Sequence, residues 1–204
     1  MSAVLPAHAI DGRVRFAVET TIPTAHGPLR VRGYRDLVTR AEHLALVVDP
    51  IGPVPVVRVH SECLTGEVLA SAKCECGPQL DAAIRTVVAQ GGAVVYLRGH
   101  EGRGIGLLNK LRAYRLQQDG LDTVDANTAL GLPVDARDYG AAAAVLRDLG
   151  IERVRLLTNN PDKLAQLEAA GIRIAERLPL VLESGGPSDD YLETKRRRLG
   201  HLLG

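Results

Sequence analysis

Read for its alternation of apolar and polar positions, the chain divides into a strand-rich first half and a second half in which strands and helices alternate. In the first half RFAVETTIP and PLRVRGYRD flank a turn-forming stretch at 24–27, and HLALVVDP and PVPVVRVH follow. These are β-branched runs bounded by Pro and Gly, the pattern of strands in one sheet. From Pro78 to Ala89 the period changes. Leu80, Ala83, Ile84, Val87 and Val88 recur at helical spacing, and Gly91 and Gly92 end the run. The second half predicts a strand over 93–97, helices over 107–118 and 136–149, a strand over 154–158, a helix over 161–170 and a strand over 172–175. The implied fold class is α/β: a single layered domain over residues 14–204, with an N-terminal β-rich half and an alternating β/α C-terminal half. Residues 1–13 read as a mobile N-terminal arm.

Charge and composition narrow the function classes. Lys and Arg number 25 against 24 Asp and Glu, a net charge of +1, so no polyanion-binding surface and no nucleic-acid partner are expected; a local phosphate site is still compatible. The basic segment at 195–198 accordingly reads as the solvated face of a helix. No apolar run approaches the roughly 18 residues that span a bilayer. Residues 1–13 also lack the basic-then-apolar order of an export signal, so the expectation is a cytoplasmic protein with no membrane partner. There is no internal repeat and no low-complexity linker.

All three cysteines fall in RVHSECLTGEVLASAKCECGPQ, as a C-x10-C-x-C array of Cys63, Cys74 and Cys76. In an extended run Cys74 and Cys76 would point to the same side, and the intervening loop would let Cys63 fold back as a third ligand. Three protein ligands with one position left for water is the pattern of a catalytic zinc. Disulfides would leave one cysteine over. Polar and glycine neighbours make poor core for independent buried thiols. A structural site of three cysteines and one histidine, using His60, stays open on spacing alone.

The same stretch, continued as RVHSECLTGEVLASAKCECGPQLDAA, resembles the zinc-binding signature of the GTP cyclohydrolase II family, whose members open the guanine ring of GTP at the start of riboflavin synthesis. LRGHEGRGIGLLNKLRAY, DTVDAN, LGLPVDARDYG, LLTNNPDK and YLETKRRRLGHLL follow in the family's order, so the likeness covers residues 14–203. Two departures keep their charge: Lys73 stands where Arg is usual, and Glu75 where Asp is more frequent. The length suits the family's catalytic unit without the dihydroxybutanone-phosphate synthase domain fused to some relatives.

The resemblance implies one Zn2+ per chain on Cys63, Cys74 and Cys76, with Mg2+ accompanying the GTP triphosphate and a homodimer as the assembly. It assigns GTP contacts to Arg58, Val59, His60, Ser61, Glu62, Gln79, Glu101, Gly102, Arg103, Thr123, Thr158 and Lys163. No P-loop sequence is present to take the phosphates instead. By themselves HEGRGIG is a strand-to-helix turn whose glycines let backbone approach a ligand, and Thr158 and Lys163 flank Pro161 at a helix start, where phosphate would meet backbone N–H groups. In the family's scheme Asp135 is the proton acceptor and Arg137 the nucleophile towards the α-phosphorus. A guanidinium stays protonated far above neutral pH, which makes charge stabilisation the physically easier role. Asp135 would otherwise lie near the N-cap of the following helix. Tyr114 matches a position near the reacting base, or is a packed amphipathic aromatic. Zinc lowers the pKa of a bound water to about 7, supplying hydroxide for attack on C8, and a second hydration expels formate. A paralogue that retains the formyl group and a catalytically silent nucleotide-binding protein are the alternatives.

Overall fold

The strands of the first half pair largely in chain order. In the computed structural model, which describes residues 8–180, β2 (Val14–Thr24), β3 (Gly27–Asp36) and β4 (Glu42–Val48) form an antiparallel meander. It continues antiparallel into β6 (Gly92–Leu97), which runs parallel to β5 (Val56–Ser61), then to β7 (Arg153–Leu157) and β8 (Arg173–Leu178). With β1 (Ala9–Ile10) at the edge, one mixed sheet has the order β1-β2-β3-β4-β6-β5-β7-β8. The expected α/β class is thus present, β-rich first and alternating afterwards. Among the described residues no helix is long and apolar enough to cross a membrane.

Every residue from Val56 to His60 is buried, as expected of a parallel strand covered on both faces. One face carries Val57, Val59, Ala93, Val95 and Leu97 against α5 (Gly140–Asp148), whose Ala141–Ala144 run lets helix and sheet approach closely. The other face carries Val94 and Leu157 against Ala83 and Val87 of α2 (Cys76–Gln90). Each fully buried valine or leucine contributes ~1.5–3 kcal/mol. Beyond β5, α2 lies on one face, whereas Leu167 of α6 (Pro161–Ala169), after β7, joins the core on the other. Neighbouring strands β5 and β7 thus send their chains to opposite faces, which opens a crevice at their carboxyl ends.

Several boundaries differ from expectation. Residues 8–13, expected in the arm, are folded: Ala9 and Ile10 pair with Arg15 and Val14, and the His8 ring stacks on Phe16 and reaches Asp148 at 2.6 Å. Residues 1–7 and the basic segment at 195–198 lie outside the described residues. The helix expected from 136 begins only at Gly140. Upstream, Ala136 N–H donates to the Arg103 carbonyl, and Asp135 and Asp138 accept from the N–H groups of Arg137 and Gly140, so these donors are used outside a helix. Three short elements escaped the sequence reading: β1, α1 (Leu64–Glu67) and α4 (Thr123–Ala129).

Candidate active site

The polypeptide brings the three cysteines together through two helix starts. Cys63 occupies the N-cap position of α1, and Cys76 is the first residue of α2. The extended Cys74–Cys76 run expected from sequence is absent, because Glu75, the N-cap of that helix, has bridge-region backbone angles of φ −100° and ψ 17°. The sulfurs converge nevertheless. All three lie within 4.8 Å of one another, with Cys63 and Cys74 Sγ 3.6 Å apart. The α1 and α2 backbones can meet this closely because the contact is made by glycines. A Cβ on Gly77 would sit 2.6 Å from the Gly66 carbonyl oxygen.

Around the sulfurs lies a shell of buried polar groups. Lys110, on α3 (Leu107–Gln118), donates to Cys63 Sγ at 3.0 Å and is paired with Glu101. Burial opposes its charge, but the bonds to Glu101 and Cys63 outweigh burial and hold its pKa well above the usual value. The other Glu101 oxygen caps α1 by accepting from Leu64 N–H at 2.7 Å. Glu67 accepts from Cys63 N–H at 2.8 Å and from the Tyr96 hydroxyl at 2.6 Å, and lies 3.0 Å from His60 Nε2. Burial pushes the His60 pKa down to about 4, with Glu67 opposing and Arg58 adding to the fall, so His60 is neutral. Among the described residues the ligand cluster comprises the three cysteines alone, and His60 faces Glu67 outside it. The geometry therefore favours an open set of three thiols over the alternative in which His60 closes the site as a fourth ligand.

A cavity of about 430 Å³ opens beside the sulfurs, at the carboxyl ends of β5 and β7. Fifteen expected site residues line it: the three cysteines, Arg58, His60, Ser61, Glu62, Gln79, Gly102, Arg103, Tyr114, Thr123, Arg137, Thr158 and Lys163. Val59, Glu101 and Asp135 lie behind the wall and position others. The Val59 carbonyl accepts from Lys163 Nζ at 2.6 Å, and Glu101 holds Lys110. Asp135 accepts Arg137 Nε at 2.9 Å and pairs with its terminal nitrogen. Burial raises the Asp135 pKa, but the Arg137 bonds prevail and hold it below the usual carboxylate range. Asp135 is not an N-cap, since the N-cap position of α5 is Tyr139.

One half of the cavity is cationic. Arg58 is buried and fixed by the Leu157 carbonyl at 3.0 Å and Gln79 Oε1 at 3.2 Å. Burial lowers its pKa to about 10, which leaves it charged at neutral pH. Gly102 and Arg103 are both left-handed, at φ 60° and 63°, in a turn whose Gly104 packs against Ala136. That conformation costs an arginine ~1–2 kcal/mol, strain of a kind that collects at functional loops. Sequence reasoning missed Lys110 and His100 in the lining. Lys110 precedes Tyr114 by one helical turn, a spacing that could have marked it. His100 adjoins the Glu101–Arg103 turn already singled out.

Comparison with known proteins matches residues 14–179 to the sequence profile described as GTP cyclohydrolase II. The riboflavin biosynthesis protein RibBA of Salinispora tropica is 56% identical over 197 residues, covering 95% of this chain and 49% of that protein. Its namesake from Nocardia farcinica is 56% identical over 193 residues, covering 93% and 46%. That of Mycobacterium tuberculosis strain H37Ra is 54% identical over 200 residues, covering 95% and 47%. The chain thus spans about half the length of the curated relatives it matches. On the extent of the profile match, this chain belongs to the GTP cyclohydrolase II family.

Proposed function

We propose that this chain hydrolyses GTP in a zinc-dependent reaction, opening the guanine imidazole ring and releasing formate and pyrophosphate. The product would be 2,5-diamino-6-(5-phospho-ribosylamino)pyrimidin-4(3H)-one, at the start of riboflavin biosynthesis. The observation that carries this reading is one cavity lined both by three clustered thiols and by Arg58, Arg103, Arg137 and Lys163. A soft ligand set at one end suits a metal for ring hydrolysis, and a cationic end suits a triphosphate accompanied by Mg2+.

The residues fit zinc. Cys63, Cys74 and Cys76 would hold it, the Gly66 backbone leaves room for their sulfurs, and the Lys110 ammonium offsets the excess negative charge of three thiolates. Zinc held there would lower the pKa of a bound water to about 7 and make hydroxide available at neutral pH. Arg58, Arg103, Arg137 and Lys163 would bind and orient the phosphates, and Thr158 would receive them beside the α6 N-terminus, which Asn160 caps. Arg137, held by Asp135, would stabilise charge developing at the α-phosphate. Tyr114, with Lys73 Nζ 4.9 Å from its ring centroid, would stack near the base and orient water. The cytoplasmic location and the homodimer form part of the reading, and sedimentation equilibrium tests the latter.

The test is incubation of zinc-loaded protein with GTP or ATP, with products identified by mass spectrometry. GTP should give the deformylated pyrimidine. ATP should persist, because a site hydrogen-bonded to guanine leaves buried groups unpaired with adenine. A formylated product would indicate the formyl-retaining paralogue, and unaltered GTP a silent binding protein.

A further inference from the structure

Ser61 ends β5 and His100 follows β6, the strand beside it, so their side chains meet at the carboxyl edge of the sheet. Ser61 Oγ lies 3.1 Å from His100 Nδ1, and both line the cavity that Arg137 and Lys163 enter. The His100 ring packs edge-on against Tyr139 at 5.5 Å, and the same tyrosine ring has Arg137 at 5.7 Å and Lys163 at 5.1 Å from its centroid. The hydroxyl–imidazole pair therefore sits within the cationic end.

Arg137 is poorly suited to attack phosphorus. Its Nε and a terminal nitrogen are engaged by the Asp135 carboxylate, an arrangement that keeps the guanidinium charged and without a lone pair to donate. Ser61 has what Arg137 lacks: a hydroxyl within hydrogen-bonding distance of a base. We infer that Ser61 is the nucleophile towards the α-phosphorus of GTP and His100 its general base, with Arg137 stabilising the charge. Burial, with Arg137, His43 and Lys163 close by, lowers the His100 pKa to about 4 against the opposing pull of Asp135, so the imidazole is neutral at pH 7 and has one ring nitrogen free of a proton.

The inference rests on GTP being the substrate. In the first step Ser61 Oγ bonds to the α-phosphorus as its proton passes to His100 Nδ1. The bond from that phosphorus to the α–β bridging oxygen breaks, and pyrophosphate leaves with the electron pair. In the second, water attacks the phosphorus, the bond to Ser61 Oγ breaks, and the His100 proton returns to Ser61. The surplus proton of the water goes to solvent. Two displacements retain configuration at phosphorus.

The experiment uses the zinc-loaded protein with GTP carrying a chiral α-thiophosphate in water enriched in a heavy oxygen isotope, and separately with GTP labelled at the α-phosphorus and quenched in acid. Retention of configuration is expected, with an acid-stable phosphate ester on the peptide containing Ser61. Ser61→Ala should slow pyrophosphate release ~10²-fold or more while still binding GTP by calorimetry. Inversion, an acid-labile phosphorus–nitrogen label on Arg137, or wild-type pyrophosphate release by Ser61→Ala would each overturn the inference. The stereochemical result needs no variant and stands even if Ser61→Ala fails to fold. Failure of the wild type to consume GTP would instead overturn the proposed function itself.

Discussion

A Cβ atom on Gly66 would lie 2.6 Å from the sulfur of Cys74. The same atom would come 3.1 Å from Cys76 Cβ and 3.3 Å from Cys63 Sγ, so the α1 backbone is the floor on which the sulfurs rest. Gly66→Ala should push them apart and weaken zinc binding at least ~10-fold, within the range seen when groups around metal ligands are altered. Chelator competition measures it. Unchanged zinc affinity in Gly66→Ala would contradict the packing argument.

Lys110 brings a positive charge to 3.0 Å from Cys63 Sγ. Lys110→Met removes a charge-assisted bond to Cys63 and leaves Glu101 without its cation, so zinc affinity should fall ~10- to 100-fold. Lys110→Arg should recover part of it. Equal affinity in Lys110→Met and wild type, in the same competition titration, would show that the ammonium does not balance the thiolates.

In the proposed reaction Arg137 and Asp135 would act at the phosphate end. Arg137→Ala should slow pyrophosphate release ~10²- to 10³-fold, the usual effect of deleting a group that stabilises developing charge. Arg137→Lys should not restore it, because an ammonium cannot reproduce the two-pronged pairing with Asp135. The check is a paired assay of formate and pyrophosphate. Loss of formate with normal pyrophosphate release in Arg137→Ala would place the residue at the wrong bond.

Outside the cavity lining, Asp36 sets part of the acid sensitivity. It is buried, which raises its pKa, but bonds from Val38 N–H at 2.7 Å, Thr39 N–H at 3.0 Å and Arg13 at 3.0 Å dominate and hold it below the usual range. Its stabilisation is therefore complete above the unfolded value of about 3.9 and declines as pH falls through the lower folded value. Asp36→Asn should be less stable than wild type by ~1–3 kcal/mol at pH 7. Denaturant melts should show the difference shrinking below pH about 4. A difference constant from pH 7 to acid would contradict this.

The sequence made the strands and the cysteine cluster legible because both signals are local. β-branched runs bounded by Pro and Gly marked β2 to β6, and the cysteine spacing marked the ligand set. What escaped it depends on distant partners. The start of α5 was misplaced because apolar periodicity continues back through Ala136, whereas the Arg103 carbonyl, more than thirty positions earlier, captures the Ala136 N–H. Lys110 went unmarked, since neither Cys63 nor Glu101 is visible as its partner in the linear chain. His8 looked like part of an arm because its partner Asp148 lies 140 positions later in the chain.

The central claim is that Cys63, Cys74 and Cys76 hold the metal on which ring opening depends. Zinc content and formate release from GTP, measured together on wild type and Cys74→Ser, test it most directly. The account predicts about one zinc per chain and steady formate release for the wild type, with both lost in Cys74→Ser while the far-ultraviolet spectrum stays native. A Cys74→Ser protein that kept its zinc and released formate at the wild-type rate would contradict it.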